Sequence, residues 1–244
     1  GGEDLREEWF NISFNIKDYV GRIAFSEPTG NNFISVKLLR EFKNALKICH
    51  HSNEIKVIVI SGSNDCFSKG VDKDELSTYD AAELCEFSEF GWKVFNKLSE
   101  IKKPVIAEVN GDAFDAGFEL VLLCDLAFSA HEAKFGFPGI RDGLTPSFGG
   151  ISNLIDIVGF RATKDLIFRS KIINSKEALD LGIINNIFSK EELTEKVNSV
   201  CKEIISNNLS AVKDIKESIG QILDITRRIR FNSEKNIFSF YGKR

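Results

Sequence analysis

The sequence predicts α/β layers followed by an α-helical region. Three observations lead there. Two short β-branched runs, KVIVISG (56–62) and KPVIAEV (103–109), have the unbroken apolar character of strands buried on both faces, and a glycine-bearing loop and then a helical pattern follow each. Strand-like runs alternate with amphipathic helical stretches through the first half. From Gly150 onward helical patterns dominate.

The elements follow in order. Residues 9–26 read as two strands: WFNISFNI alternates apolar and polar residues, KDYVG turns, and RIAF returns. EPTGNN (27–32) has loop chemistry. Ser35 is placed to cap a helix, VKLLREFKNALKICH, whose apolar positions are Leu38, Leu39, Phe42, Leu46 and Ile48. After KVIVISG, the stretch SNDCFSKGVDKDEL reads as a loop leading into a helix. Residues 81–101 form a second amphipathic helix. KPVIAEV precedes another loop and helix, then LAFSA (126–130) reads as a strand. AKFGFPGIRDGLTPSFGG (133–150) reads as a long Gly/Pro-rich connection. ISNLIDIVG, RATKDLIFRS, SKEALDLG and EELTEKVNSVCKEIISN are helical.

With 244 residues, no internal repeat and no low-complexity linker, one domain with a helical C-terminal portion is expected, dividing near 185–195. A net charge of −4 gives no reason to expect nucleic acid or an anionic membrane as partner. Basic residues do gather late, at Arg227, Arg228, Arg230, Lys243 and Arg244, where a solvated face is the ordinary reading. No apolar run reaches 18 residues. The five cysteines, Cys49, Cys66, Cys85, Cys124 and Cys201, form no CxxC pair and read as those of a reduced, cytoplasmic protein without disulfides or a zinc site. His50, His51 and His131 are the only histidines, and each reads as a surface or structural residue.

Chemistry is concentrated in NGDAFDAGFELVLLCDLAF (110–128). Glu119 heads an almost wholly apolar helix, and a buried carboxylate needs a partner, a proton or a chemical purpose. FSKGVD (67–72) and AFDAGFE (113–119) each join a strand to a helix through a glycine-bearing loop. The first turn of a helix leaves N–H groups unpaired at the positive end of its dipole. Two such ends converging would hold an oxyanion between two donors. Neither loop matches a phosphate-binding pattern, which argues against a nucleotide-binding protein.

With these loops in view, the chain resembles the crotonase superfamily, of the enoyl-CoA hydratase/isomerase type, over nearly its whole length. EPTGNNF resembles the family's P-x-x-x-N segment, and FSKGVD its F-x-A-G-A-D loop. KPVIAEVNGDAFDAGFELVLLCDLAFSA resembles K-P-x-I-A-x-V-N-G-x-A-x-G-G-G-x-E-L-A-x-x-C-D. AKFGFPGIRDGLTPSFGG resembles A-x-F-G-x-P-E-x-x-x-G-x-x-P-G-x-G-G, and SKEALDLGIIN resembles A-x-E-A-x-x-x-G-L-V-(D/N).

The resemblance implies a spiral of repeated β-β-α units (1–190) with a C-terminal helical region (191–244) that drives assembly as trimers or paired trimers. It implies a short further segment, beyond FSFYGKR, that closes the acyl-CoA site. The substrate would be an acyl thioester of coenzyme A or of a phosphopantetheinyl carrier protein, with no cofactor beyond that carrier. The N–H groups of Val71 and Ala116 would form an oxyanion hole for a thioester enolate. Glu119 falls on the first of the two glutamates that hydratases use and would act as base, toward water or a substrate C–H. Phe67, Lys69, Gly70, Asp72, Tyr79, Gly117, Gly139, Arg141 and Ser147 fall on segments that line such a site.

The departures bear on the reaction. The second glutamate of hydratases belongs where Gly139 stands, so a two-carboxylate mechanism lacks its partner. Ser147 occupies a position where dienoyl isomerases place an aspartate. Asp115 and Ala116 replace two glycines, and Asp115 is expected to cap the following helix. Lys69 is within reach of a carrier phosphate, with a plain surface lysine as the simpler reading; Asp72 should cap or brace its loop. Tyr79 is a candidate for the acyl pocket and Arg141 for a substrate carboxylate. The expected activity is double-bond isomerisation or hydration/dehydration. An acyl-thioester decarboxylase and a non-catalytic acyl-thioester binder are the alternatives.

Overall fold

The structure, a computed structural model, describes residues 9–242, and the side chains of residues 224–229 are outside that description. β1 (Ile12–Lys17) and β2 (Val20–Phe25) form an antiparallel hairpin. Its two turn residues, Asp18 and Tyr19, both have positive φ (52° and 64°), as a tight two-residue hairpin turn requires. α1 (Val36–His51) follows, and the Ser35 side chain caps it by accepting from the Leu38 N–H.

From there a strand of one sheet is repeatedly followed by a strand of another and then a helix. β3 (Val57–Ser61) leads to β4 (Cys66–Ser68), α2 (Lys73–Leu76) and α3 (Ala81–Glu100). β5 (Val105–Val109) leads to β6 (Asp112–Phe114) and α4 (Ala116–Leu123). β7 (Leu126–Ala130) leads to β8 (Lys134–Gly136), a 3-10 turn (Pro138–Asp142) and α5 (Gly150–Phe168). β9 (Ile173–Asn174), α6 (Ser175–Asp180), β10 (Asn186–Phe188), α7 (Lys190–Ser206) and α8 (Leu209–Phe238) complete the described chain. The large sheet has the order β1-β2-β3-β5-β7-β10 and the small one β4-β6-β8-β9. This winding is the β-β-α spiral, and the helical C-terminal region follows it.

The apolar runs read as doubly buried strands because they are. Ile58 and Ile60 of β3 face the main core, and Val57 and Val59 face a second core against α7. The main core is rich in phenylalanine; Phe42, Phe95 and Phe148 meet edge to face at 6.2 and 4.9 Å. α8 closes it: Trp92 stacks on Phe231 at 4.5 Å, and Phe238 is fully buried. Burying Gly91 lets α3 approach Phe148, since a Cβ there would lie 2.1 Å from that ring.

The helical patterns ISNLIDIVG and RATKDLIFRS are, as read, two helical stretches within α5, separated at Gly159, whose φ of 79° and ψ of 171° are not helical and are adopted readily only by glycine. Two expectations are corrected. Strands β4, β6 and β8 lie in stretches read as loop or connection, and β9 and β10 in stretches given no element; at two or three residues each they are too short to show a period. Asp115 does not cap α4, for reasons given below.

Candidate active site

The two glycine-bearing loops meet. The first is held by Asn32, which is fully buried and donates to the carbonyls of Cys66 (3.0 Å) and Phe67 (3.3 Å). Ser68 Oγ donates to the Asn32 carbonyl at 2.8 Å and accepts from the Gly70 N–H at 3.2 Å. A parallel bridge pairs Ile34 with Val71: Ile34 N–H donates to Gly70 O, and Asp72 N–H donates to Ile34 O. In that pattern Ile34 makes both bonds, so the N–H of Val71 points away from the pairing.

The second loop arrives against the first. A Cβ on Gly70 (φ 94°) would fall 2.7 Å from Asp115 Cβ and 3.4 Å from the Ala116 nitrogen. A Cβ on Gly117 would fall 2.3 Å from the Ser68 carbonyl oxygen. Only glycines permit this approach. Ala116 is the first residue of α4, so its N–H has no intrahelical acceptor. Val71 and Ala116 therefore bring two N–H groups to touching loops, both at buried positions. Asn32→Ala is expected to destabilise the protein by about 2–4 kcal/mol, because it strands buried carbonyls and puts alanine at φ 51°. Urea unfolding measures this; an unchanged midpoint would remove Asn32 as the brace.

Glu119 answers its own question. Its exposure is 0 %. Oε1 accepts from the N–H groups of Gly150 (2.7 Å) and Phe148 (2.9 Å). Oε2 accepts from Ser147 N–H at 3.2 Å and Oγ at 3.4 Å. Oε1 is thus the anchor and Oε2 the less committed oxygen. These donors belong to the entry of α5, whose N-cap residue, Gly149, has no side chain to supply. Desolvation by burial outweighs the three amide bonds and raises the Glu119 pKa to about 7. Glu234 of α8 shares this helix end, accepting from Ser152 N–H at 3.0 Å. Burial, then the neighbouring Glu119, raise its pKa to about 8.

Asp115 has φ 49° and ψ −123°, and its side chain makes no cap bond. That backbone turns the carboxylate away from α4 and toward the 3-10 turn, where Oδ1 accepts from the Gly139 N–H at 3.0 Å. Burial raises its pKa to about 6.

The remaining candidates separate. Phe67 is fully buried in the core, and Ser147 sits against Glu119. Asp72 caps α2, accepting from Asp74 and Glu75 N–H, as expected. Lys69 is exposed. Tyr79 is partly buried near Phe87 and donates to Glu75 Oε1 at 3.0 Å. Arg141 is exposed and donates to the Ser170 carbonyl at 3.3 Å. Among the late basic residues, Arg230 pairs with Asp156 at 2.7 Å. The side chains of Arg227 and Arg228, and all of Lys243 and Arg244, lie outside the described residues. His50, His51 and His131 are exposed, and the five cysteines are free thiols. Among the described residues no group of three or more His, Cys, Asp or Glu side chains could hold a metal ion. None of the described helices is long and apolar enough to cross a membrane.

Asn32 and Glu234 were not singled out from the sequence. Asn32 had a signal, the P-x-x-x-N segment. Glu234, in a charged helical stretch, had none.

Residues 15–244 match the family described as enoyl-CoA hydratase/isomerase. The chain is 32 % identical over 227 residues to a crotonyl-CoA hydratase of Syntrophomonas wolfei, covering 92 % of this chain and 87 % of that one. It is 31 % identical, with the same coverage, to a short-chain enoyl-CoA hydratase of Clostridium acetobutylicum. Among solved structures, an enoyl-CoA hydratase of Bacillus anthracis superposes with a TM-score of 0.83 at 26 % identity, covering 92 % of this chain and 89 % of that one. Two touching glycine-bearing loops, a buried carboxylate on the helix that follows and these likenesses lead to one conclusion: the chain belongs to the enoyl-CoA hydratase/isomerase family.

Proposed function

We propose that this protein adds water reversibly to the double bond of a 2-enoyl thioester of coenzyme A. The observation that carries the reading is the contact of the two loops, which brings the N–H groups of Val71 and Ala116 to one place with Glu119 one helical turn further along α4. The thioester carbonyl oxygen accepts from both N–H groups. Water held at Glu119 Oε2 attacks C3, its proton passes to the carboxylate, and the π electrons move onto the carbonyl oxygen. The resulting enolate takes a proton at C2. An oxyanion donor of this kind is worth about 10²–10³ in rate. The named relatives favour hydration over isomerisation and decarboxylation, and a short acyl chain over a long one.

The test is mass spectrometry of enoyl, 3-hydroxyacyl and malonyl-type thioesters, on coenzyme A and on a carrier protein, incubated with the protein in heavy water. A gain of water with one deuterium at C2 is the expected result on crotonyl-CoA. A shifted double bond would make the protein an isomerase, and loss of carbon dioxide a decarboxylase. Binding without any change would make it a non-catalytic thioester binder.

Self-association belongs to the same proposal. Ile215, Ile219 and Ile222 stand exposed on α8 at i, i+4, i+7 spacing, an apolar stripe on an otherwise charged helix. Beside it lies a cavity of about 450 Å³ lined by Leu122, Ile157, Ile215 and Ile219. Light scattering should give a trimer or hexamer, and Ile219→Glu should shift it toward monomer; a wild-type monomer would contradict this.

A further inference from the structure

We infer that Asp115 supplies the second acid/base group of this site, its carboxyl group standing where a side chain on Gly139 would stand. The inference rests on the hydration reading above, because water addition moves two protons: one leaves the water, and another arrives at C2 on a different carbon.

Gly139 has no side chain to move a proton. A Cβ built on it would lie 2.8 Å from the far end of the flexible Leu144 side chain, 2.9 Å from Asp115 Oδ2 and 3.0 Å from Oδ1. The carboxylate of one loop therefore fills the space beside the backbone of the other. Gly139 itself tethers it, through an N–H bond of 3.0 Å to Oδ1. The group is buried, with 7 % of the residue exposed. It is also next in sequence to Ala116, whose N–H is proposed to hold the thioester oxygen. C2 of a thioester is bonded to the carbonyl carbon, and by this inference it comes within reach of this carboxyl group.

The backbone argues the same way. Asp115 keeps φ 49° with ψ −123°, a region that glycine occupies freely and aspartate does not. A glycine would relieve that strain, and burial disfavours the charged side chain at neutral pH. A structural tie alone would not need an ionisable group. The charged groups acting on Asp115 are Lys73 and Asp142, which pair with each other at 2.6 Å, and Asp115 in turn raises the pKa of Glu119 on α4. Its pKa of about 6 lies within about a unit of that of Glu119, about 7. The two carboxyl groups titrate over the same range; a shared proton favours Glu119, and the form with the proton on Asp115 and Glu119 ionised is the minor one near neutrality.

The step balances. The O–H bond of the Asp115 carboxylic acid breaks, and its proton forms the C2–H bond with the electron pair of the enolate. The carboxylate left behind regains a proton from solvent while Glu119 releases the one it took from water. The net change is one water added.

Asp115→Asn keeps an oxygen to accept from Gly139 N–H and cannot deliver a proton. Two assays are run on the intact protein and on this variant: hydration of crotonyl-CoA, and exchange of the C2 hydrogens of butyryl-CoA in heavy water. Thermal unfolding checks that each variant is folded. Both activities should fall about 10²–10⁴-fold in Asp115→Asn. If the wild type hydrates and Asp115→Asn does so undiminished, the inference is wrong and the hydration reading stands. If the wild type does not hydrate but exchanges C2 hydrogens in a manner that needs Asp115, the reading is wrong and the inference stands. If the wild type does neither, both fall.

A carboxyl swap gives a second test. Gly139→Glu alone should clash with the Asp115 carboxylate and be inactive. Asp115→Gly/Gly139→Glu removes that clash and should recover at least tenfold over Asp115→Gly. A folded double variant no more active than Asp115→Gly would overturn the placement of Asp115 as a substitute for a side chain at 139.

Discussion

Glu119→Gln lowers kcat/KM for enoyl-thioester hydration by about 10²–10⁴-fold, the range for a positioned group that moves a proton. The loss falls on kcat more than on KM, because a proton is transferred only in the transition state. Glu119→Ala has the same kinetic consequence and a second one. It leaves the N–H groups of Ser147, Phe148 and Gly150 without their buried acceptor. Each such group costs about 1–3 kcal/mol, partly relieved by water entering the space, so a net loss of about 2–4 kcal/mol is expected. Steady-state kinetics and urea unfolding of the two variants separate these roles. A fully active Glu119→Gln would leave Glu119 as a purely structural clamp on the entry to α5.

Stability should fall as pH rises from about 4.5 to about 8. Glu119 and Glu234 both have folded-state pKa values above the ordinary 4.5, at about 7 and about 8. Between the unfolded and folded values the native state binds more protons than the unfolded chain, so each step up in pH favours unfolding. Their contribution is complete below about 4.5 and is lost as pH passes 7 and then 8. Glu234 carries the larger part: burial and the charge of Glu119 act on it, and its Oε2 has no hydrogen-bond partner among the described residues. Glu89, Asp142, Asp165 and Glu177 have lowered values, so their pH dependence falls below about 4.5 and leaves this window unchanged. Glu234→Gln should therefore raise stability at pH 8 by on the order of 2–4 kcal/mol and change it little at pH 4.5. Thermal scans across this range test it. Equal effects at both ends would mean that Glu234 does not change its charge between them.

The large sheet apart from its edge strand β10 was legible, because its central strands are covered on both faces, which writes an unbroken β-branched run into KVIVISG and KPVIAEV. The amphipathic helices α1 and α3 were legible through their period, and Ser35 through its capping chemistry. The small sheet was not. Its strands are two or three residues long and are set by the spiral, which lays each beside the one a full turn earlier. No local pattern records that pairing. At the site, the two loops were legible as strand–glycine–helix junctions, and the need for a partner at Glu119 was legible from its apolar surroundings. The partner was not: it is a row of backbone N–H groups nearly 30 residues away, and an amide carries no sequence signal. Asp115 was misread for a related reason. A carboxylate just before a helix ordinarily caps it, and only the backbone angles send this one to Gly139 instead.

The central claim is that the amides of Val71 and Ala116 grip one thioester carbonyl. Infrared difference spectroscopy of crotonyl-CoA labelled with carbon-13 at that carbonyl reads it directly, using Glu119→Gln to slow turnover. Two hydrogen bonds in a dry site weaken the C=O bond, so the account predicts a bound carbonyl band clearly below its position in water. A bound ligand whose carbonyl band stays at or above the position in water would contradict the oxyanion hole and the mechanism built on it.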